Sequence, residues 1–359
     1  MQGKVIIGLS GGVDSAVAAH LLLKAGYEVI GMHTVMRDDD AERKESEDAA
    51  AVARQLCIPF FSVDMQQEFR EGVIKPFCQS YLSGETPNPC IHCNQKVKIA
   101  AMYRLKEQLA ASYIATGHYA FVESVDGRFT VRNALDAQKD QTYVLSFLSQ
   151  EQLKCLRMPL GAYTKDEIRS IALELGLVNA AKKDSQEICF IPDDDYARYI
   201  VDHAEDAALL SRAQNRGNFV DEAGKVLGRH EGYLHYTIGQ RRGLKLATGS
   251  RIFVKEIRPE SCEVVLAGPE AMFTTHLTAT GFHGMLYEKE QFRGDGVECM
   301  ARIRYGHKGT NCRAYLNEKE ELICEFAEPV RAVTPGQAVV LYSGEAEHSY
   351  VLATATITR

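Results

Sequence analysis

The stretch from Val5 to Lys24 constrains this 359-residue chain more than any other part of it. A compact apolar run at residues 5–9 meets a turn at 10–13 and then a helical pattern over 15–24. Val17, Ala18, Leu21 and Leu22 fall on one face of that helix, and Gly26 stands where a C-terminal cap belongs. A buried strand that runs straight into a helix is the opening half of a βαβ unit, and the alternation continues. Residues 27–35 read as a strand, 41–56 as a helix, 59–63 as a strand, 66–80 as a helix, 94–110 as a helix and 113–116 as a strand. This pattern predicts an α/β fold: a parallel sheet with helices on both faces.

Beyond about residue 200 the character changes. Residues 202–214 form a polar helical or linking stretch, and the segments at 218–220, 234–238, 251–257 and 263–266 are short and set off by glycine. From about 273 onward, short β runs at 297–305, 322–326 and 338–342 suggest a small β domain or barrel. A chain longer than about 250–300 residues rarely keeps one core. The expected organisation is a catalytic α/β domain at 1–203, a small central domain at 204–272 and a β-barrel-like domain at 273–359.

The first loop carries chemistry. Gly8-Leu9-Ser10-Gly11-Gly12-Val13-Asp14-Ser15 joins the first strand to the first helix. Paired glycines let several backbone N–H groups converge on one anion, and the helix start adds its positive dipole end. Ser10 and Ser15 add hydroxyl donors. The loop has no Walker A lysine and does not match G-x-G-x-x-G. The string Ser-Gly-Gly-Val-Asp-Ser resembles the pyrophosphate loop of the N-type ATP pyrophosphatases. That resemblance implies ATP, taken with Mg2+, cleaved to AMP and pyrophosphate as an oxygen of the substrate is adenylated.

Ten cysteines raise a second question. No apolar run reaches the ~18–20 residues of a membrane span, and the chain begins in a strand rather than a signal peptide. A cytoplasmic protein is expected, whose thiols stay reduced and serve as core residues, ligands or redox groups. Cys90-Ile91-His92-Cys93 precedes the helix expected at 94–110, so Cys93 sits at a predicted helix start, where a thiolate is favoured and Cys93 becomes a candidate nucleophile. The pair also reads as half of a zinc or iron–sulfur site or as a redox pair, although no second pair recurs at that spacing. Cys189 lies in a strand-like run, residues 182–191.

With these segments in place the chain resembles the tRNA-specific 2-thiouridylases. The matching segments are the phosphate loop, Thr-Pro-Asn-Pro ahead of Cys93-Asn94, Ala-Thr-Gly-His-Tyr at 115–119 and Lys-Asp-Gln at 139–141. Lys-Lys-Asp-Ser with Ile-Cys-Phe-Ile follows, then Ile-Gly-Gln-Arg-Arg-Gly at 238–243 and Thr-Pro-Gly-Gln at 334–337. They span residues 8 to 337. The resemblance implies ATP-dependent replacement of O2 of the wobble uridine in tRNA by sulfur. Cys189 would carry the persulfide and Cys93 would be its partner nucleophile, with a sulfur-donor or relay protein upstream. Gly8, Leu9, Ser10, Gly11, Gly12, Val13, Asp14, Ser15, Thr34 and Gly117 would hold the nucleotide. Asn88, Pro89, Cys90, His118, Lys139, Asp140, Gln141, Arg304, Tyr305 and Gln337 would meet tRNA.

One position departs from the family: many bacterial members carry an aspartate where this chain has Cys90. That leaves the acid–base role to water or His92. It also raises the alternative of a related RNA thiolase with a [4Fe–4S] cluster on Cys90, Cys93 and Cys189. A net charge of −7 argues against a sequence-independent nucleic-acid binder. Yet residues 225–258 hold eight Lys or Arg (225, 229, 241, 242, 245, 251, 255 and 258) against Glu231 and Glu256. With Tyr233, His235 and Tyr236 interleaved, that segment is the expected tRNA-facing surface.

Overall fold

The structure is a computed structural model that describes residues 2–180, 188–246, 250–344 and 348–358. The chain divides into two compact units. The first comprises Met1–Val73, Cys90–Gln186 and Ser343–Leu352; the second comprises Ile74–Pro89, Glu187–Tyr342 and Ala353–Arg359.

The first unit is built on β1 (Lys4–Gly8), β2 (Glu28–Val35), β3 (Phe60–Asp64), β4 (Tyr113–Ala115) and β7 (Leu156–Arg157). They pair in parallel in the order β3-β2-β1-β4-β7. Val5, Ile6 and Ile7 of β1 are wholly buried, because a central parallel strand is covered on both faces. Helices α1 (Val13–Lys24) and α2 (Asp40–Gln55) follow β1 and β2. Since β2 and β4 flank β1 on opposite sides, the carboxyl end of β1 is a topological switch point, the usual ligand crevice of such sheets. The expected α/β class and parallel sheet are therefore present.

Several local expectations change. The helix assigned to 94–110 begins earlier: Pro89–Cys93 runs into a π-helical turn, Asn94–Lys98, and on into Ile99–Gln108. Pro89 opens this helix because proline suits the first helical position, where its missing N–H costs nothing. Residues 188–190 form a turn rather than a strand, while residues 181–187 of the run assigned there lie outside the described residues. Two runs of three aspartates, at 38–40 and 193–195, each supply a helix cap: Asp39 accepts from the Glu42 N–H, and Asp195 from the Arg198 N–H. A hairpin of β5 (Ala120–Val125) and β6 (Arg128–Asn133) went unread in the sequence.

In the second unit, β8 (Gly217–Val220), β9 (Val226–His230), β10 (Phe253–Arg258) and β11 (Glu263–Ala267) form a sheet in the order β10-β11-β8-β9. Residues 233–235 are a 3-10 turn instead of the expected strand, with Tyr233 buried and its hydroxyl donating to the Leu82 carbonyl at 2.8 Å. The remaining strands are β12 (Phe273–Gly284), β13 (Val297–Arg302), β14 (Thr310–Leu316), β15 (Leu322–Arg331), β16 (Ala338–Tyr342) and β17 (Val351–Ile357). They close a barrel in the order β12-β15-β14-β13-β16-β17. Cys299, Cys312 and Cys324 are buried there, with Cys299 and Cys312 directly opposed across β13 and β14. Hydrogen bonding to Cys312, then burial, pushes the Cys299 thiol upward, as expected of core thiols.

Candidate active site

The sequence places two consecutive glycines where β1 must turn sharply into α1, and the backbone uses both. Gly11 has φ +67°, and a Cβ there would lie 2.7 Å from the Asp48 Cβ. Gly12 caps α1 without a side chain, which leaves the first N–H groups of a 12-residue helix facing the loop. The two serines brace the turn. The Ser10 N–H donates to Ser15 Oγ at 3.2 Å, the Gly12 N–H donates to Ser10 Oγ at 3.3 Å, and the Ser15 hydroxyl donates to the Gly12 carbonyl at 3.2 Å. The result is a concave set of donors at a helix start.

Gly117 presses on this helix start. A Cβ there would come within 2.8 Å of the Ser15 nitrogen and 2.9 Å of the Asp14 carbonyl carbon. Both are backbone atoms and cannot swing aside. Gly117→Ala is therefore expected to displace the loop and lower kcat/KM for ATP by roughly tenfold or more, with about 1–3 kcal/mol of overpacking cost. Steady-state kinetics with ATP varied, beside a thermal melt, checks this.

The wall beyond Gly117 holds residues that sequence reasoning missed. The Lys165 ammonium, only 7% exposed, donates to both carboxylate oxygens of Asp14 at 2.7 and 2.9 Å. The buried Tyr119 hydroxyl donates to the same carboxylate at 2.8 Å. Asn179 donates through Nδ2 to the Gly11 carbonyl at 3.1 Å, while its buried Oδ1 has no hydrogen-bond partner among the described residues. A buried amide and a buried ammonium converging on a glycine loop were detectable only through tertiary pairing. Thr34, at the end of β2, is buried.

The predicted tRNA-facing residues differ in how free they are. His118 is partly open to solvent, bonded to Thr116 Oγ1 at 2.9 Å, and pushed down to about 3 by desolvation and then by Lys98. It is a neutral imidazole at ordinary pH. Gln141 is folded back on Tyr119, accepting its N–H at 2.9 Å. Asp140 is buried, bonded to the Ala134 N–H at 3.0 Å and the Thr142 hydroxyl at 2.6 Å, which shapes the loop from within. Lys139 is half-buried.

In the second unit, Asn88 is partly exposed and Pro89 buried. Gln337 donates to the Thr86 carbonyl at 2.7 Å, and Arg304 to the Arg331 carbonyl at 3.0 Å, while Tyr305 is exposed.

The thiols also differ from expectation. Cys93 lies one turn inside its helix rather than at the start, 4% exposed, with its Sγ 3.8 Å from the Met36 thioether. The dipole argument made for Cys93 thus applies to Cys90, which occupies the first turn and is exposed. Burial, and secondly Lys96, lowers the pKa of His92, and its buried Nδ1 has no hydrogen-bond partner among the described residues. Cys189 is exposed. Among the described residues no group of three or more His, Cys, Asp or Glu side chains is placed to hold a metal ion. No helix among them is long and apolar enough to cross a membrane.

Of the basic segment, Lys255 pairs with Glu222, and Arg258 with Glu256 and Glu263. Lys225, Arg229, Arg241, Arg242, Lys245 and Arg251 are exposed. Tyr233, counted among the interleaved aromatics, is core.

Three family profiles cover most of the chain. They are described as a tRNA methyl transferase HUP domain at residues 3–193, a tRNA methyl transferase PRC-barrel domain at 209–268 and an aminomethyltransferase beta-barrel domain at 274–351. The tRNA-specific 2-thiouridylase MnmA of Lachnoclostridium phytofermentans is 46% identical over 95% of this chain and 97% of its own. The MnmA of Clostridium acetobutylicum is 44% identical over 96% and 98%. The solved structure of the U34-tRNA thiolase NcsA from Methanococcus maripaludis, described with a [4Fe-4S] cluster, matches 58% of this chain and 70% of its own. Its 16% identity and TM-score of 0.36 are too slight to carry weight. On the full-length likeness to the curated relatives, this chain belongs to the tRNA-specific 2-thiouridylase family.

Proposed function

We propose that the protein is a tRNA-uridine 2-sulfurtransferase that uses ATP to replace O2 of the wobble uridine with sulfur. The observation that carries this reading is the pairing of a phosphate loop without a Walker lysine with Cys93 and Cys189, in a chain that matches thiouridylases throughout its length. The loop from Gly8 to Ser15, with Thr34 and Gly117, holds ATP and its Mg2+. The uridine O2 attacks the α-phosphorus, pyrophosphate leaves, and the oxygen becomes part of an AMP leaving group. A persulfide on Cys189 supplies the sulfur in one of two balanced ways. Either its terminal sulfur displaces AMP from C2 and Cys93 then cleaves the mixed disulfide, or Cys93 first releases hydrosulfide, which attacks C2. Both end in a Cys93–Cys189 disulfide that an external dithiol reduces.

A sulfur-donor protein reloads Cys189. Asn88, Pro89 and Cys90 face the flipped base, and His118, the 139–141 loop, Arg304, Tyr305 and Gln337 lie along the tRNA. The functional segments are 1–203 for activation, 204–272 and 273–359 for tRNA. Methyl transfer, named in two of the profile descriptions, needs neither a triphosphate cradle nor a second thiol. Cys93 is buried against Met36, and no step is derived through a [4Fe–4S] cluster.

The test is direct: ATP, unmodified tRNA and a persulfide donor are mixed with the protein, and nucleosides are analysed by mass spectrometry. Formation of 2-thiouridine with equimolar AMP is expected; absence of any tRNA-stimulated pyrophosphate release would sink the reading. Binding should also be salt-sensitive. Six exposed cations contacting phosphates give a log–log slope of affinity against salt of about −4.2, and Arg241→Ala with Arg242→Ala reduces its magnitude by roughly 1.4. Filter binding across a salt series measures it.

A further inference from the structure

A buried histidine beneath the phosphate loop has no part in the reading above. His33 of β2 is 4% exposed, and both ring nitrogens are engaged: Nδ1 with the Leu9 carbonyl at 3.0 Å, Nε2 with Glu42 Oε1 at 2.7 Å. A carbonyl can only accept, so Nδ1 carries a proton and donates to Leu9. Glu42 sits in the first turn of α2, where its own N–H is held by Asp39 at 2.7 Å. Its other oxygen accepts the Met36 and Arg37 N–H groups at 3.3 and 3.2 Å. Those donors fix the place of the Glu42 side chain against the Nε2 face of the ring. Burial by itself lowers the pKa of His33, but Glu42 and the Leu9 carbonyl outweigh it and leave it raised.

The Leu9 carbonyl belongs to the peptide that enters the loop. A trans peptide holds its C=O and N–H on opposite sides. With the Leu9 oxygen turned to His33, the Ser10 N–H must point the other way, where it meets Ser15 Oγ at 3.2 Å inside the cradle. A flipped peptide would put a carbonyl lone pair where an anion should bind.

We propose that His33 is a positioning residue for ATP: its Nδ1–H holds the Leu9–Ser10 peptide in the orientation in which the Ser10 N–H braces Ser15 Oγ and so keeps the shape of the loop, and Glu42 fixes the ring in that pose. This deepens, and rests on, the reading of the loop as an ATP site. A second thread leaves the same carboxylate, since Met36 both donates to Glu42 and touches Cys93.

Two near-isosteric substitutions separate positioning from mere packing. An asparagine amide nitrogen falls near the place of Nδ1, and a glutamine amide nitrogen near that of Nε2. His33→Asn keeps the donor to Leu9 and strands Glu42; His33→Gln keeps the Glu42 link and releases Leu9. The measurements are KM and kcat for ATP in tRNA-stimulated pyrophosphate release, with thermal melts of both variants. His33→Gln should raise KM for ATP by roughly tenfold, the scale of one lost hydrogen bond that shapes the loop, with kcat changed far less. His33→Asn should stay within about twofold of the parent in KM yet melt at the lower temperature, so the two orders are opposite. Equal KM values for the two variants, or a KM order that follows the melting order, would overturn the proposal. Failure of the parent itself to release pyrophosphate from ATP would instead refute the ATP reading, which keeps the two failures apart.

Discussion

Cys93→Ser is expected to end 2-thiouridine formation, with a loss of at least about a thousandfold, while tRNA-stimulated pyrophosphate release persists. The separation follows from chemistry. Adenylation needs the loop and the uridine oxygen, whereas sulfur delivery needs a thiolate that attacks sulfur, and a hydroxyl cannot replace it. Cys189→Ser should give the same phenotype but also fail to take up sulfur from a persulfide donor, which Cys93→Ser still does. Cys90→Ser is the informative control. It is exposed in the first turn of the helix that also carries Cys93, and the proposed route leaves it no covalent step. Mass spectrometry of the tRNA and of the intact protein reads all three. If Cys90→Ser were as inactive as Cys93→Ser, the two-thiol route would be wrong and a three-thiol centre would have to be considered.

Lys165→Ala carries the second large effect. Its ammonium neutralises Asp14, which stands in the first turn of α1 beside the phosphate cradle. Without it, an incoming triphosphate would meet an uncompensated carboxylate at the helix start. A loss of about a hundredfold in kcat/KM for ATP is expected, set by like-charge repulsion in a partly desolvated site. Stability should fall by about 2 kcal/mol, less than for a wholly buried pair because Asp14 is about one-third exposed to solvent. Lys165→Arg should recover part of both. Lys165→Ala combined with Asp14→Asn should recover stability and not ATP use, and denaturant melts beside ATP kinetics separate these terms.

How much of this was legible follows from where the information resides. The tight turn from β1 into α1 was readable because its signals are local: two glycines, a strand before and a helix after are all within about twenty residues. The parallel sheet and the barrel were readable from alternation and spacing. Lys165 was hidden, because Thr164 and Glu167 form a capping box around it and make it look like an ordinary helix start. Its role arises only from a partner 151 residues away. His33 was hidden likewise within an apolar strand, where nothing local announces Leu9 and Glu42 as its partners. Cys93 was misplaced because the helix was expected to begin at residue 94, when Pro89 is its first residue. Tyr233 was misjudged for the opposite reason: a tyrosine among basic residues looked like a stacking surface, but its hydroxyl is buried on Leu82.

The interleaving of the two units has a consequence for how the protein is made. The chain leaves the first unit at Ile74, contributes sixteen residues to the second, and returns at Cys90. Much later, residues 343–352 come back to the first unit, where Ser349 and Val351 accept bonds from Asn133 and Thr130. On the ribosome, residues 74–89 emerge long before the rest of their unit exists, and the hairpin β5–β6 waits for Ser349 and Val351, more than two hundred residues later. Neither unit can mature before the other is nearly complete. A premature stop near residue 340 would thus deprive the nucleotide-bearing unit of a piece it needs, although every residue of the ATP loop had already been translated.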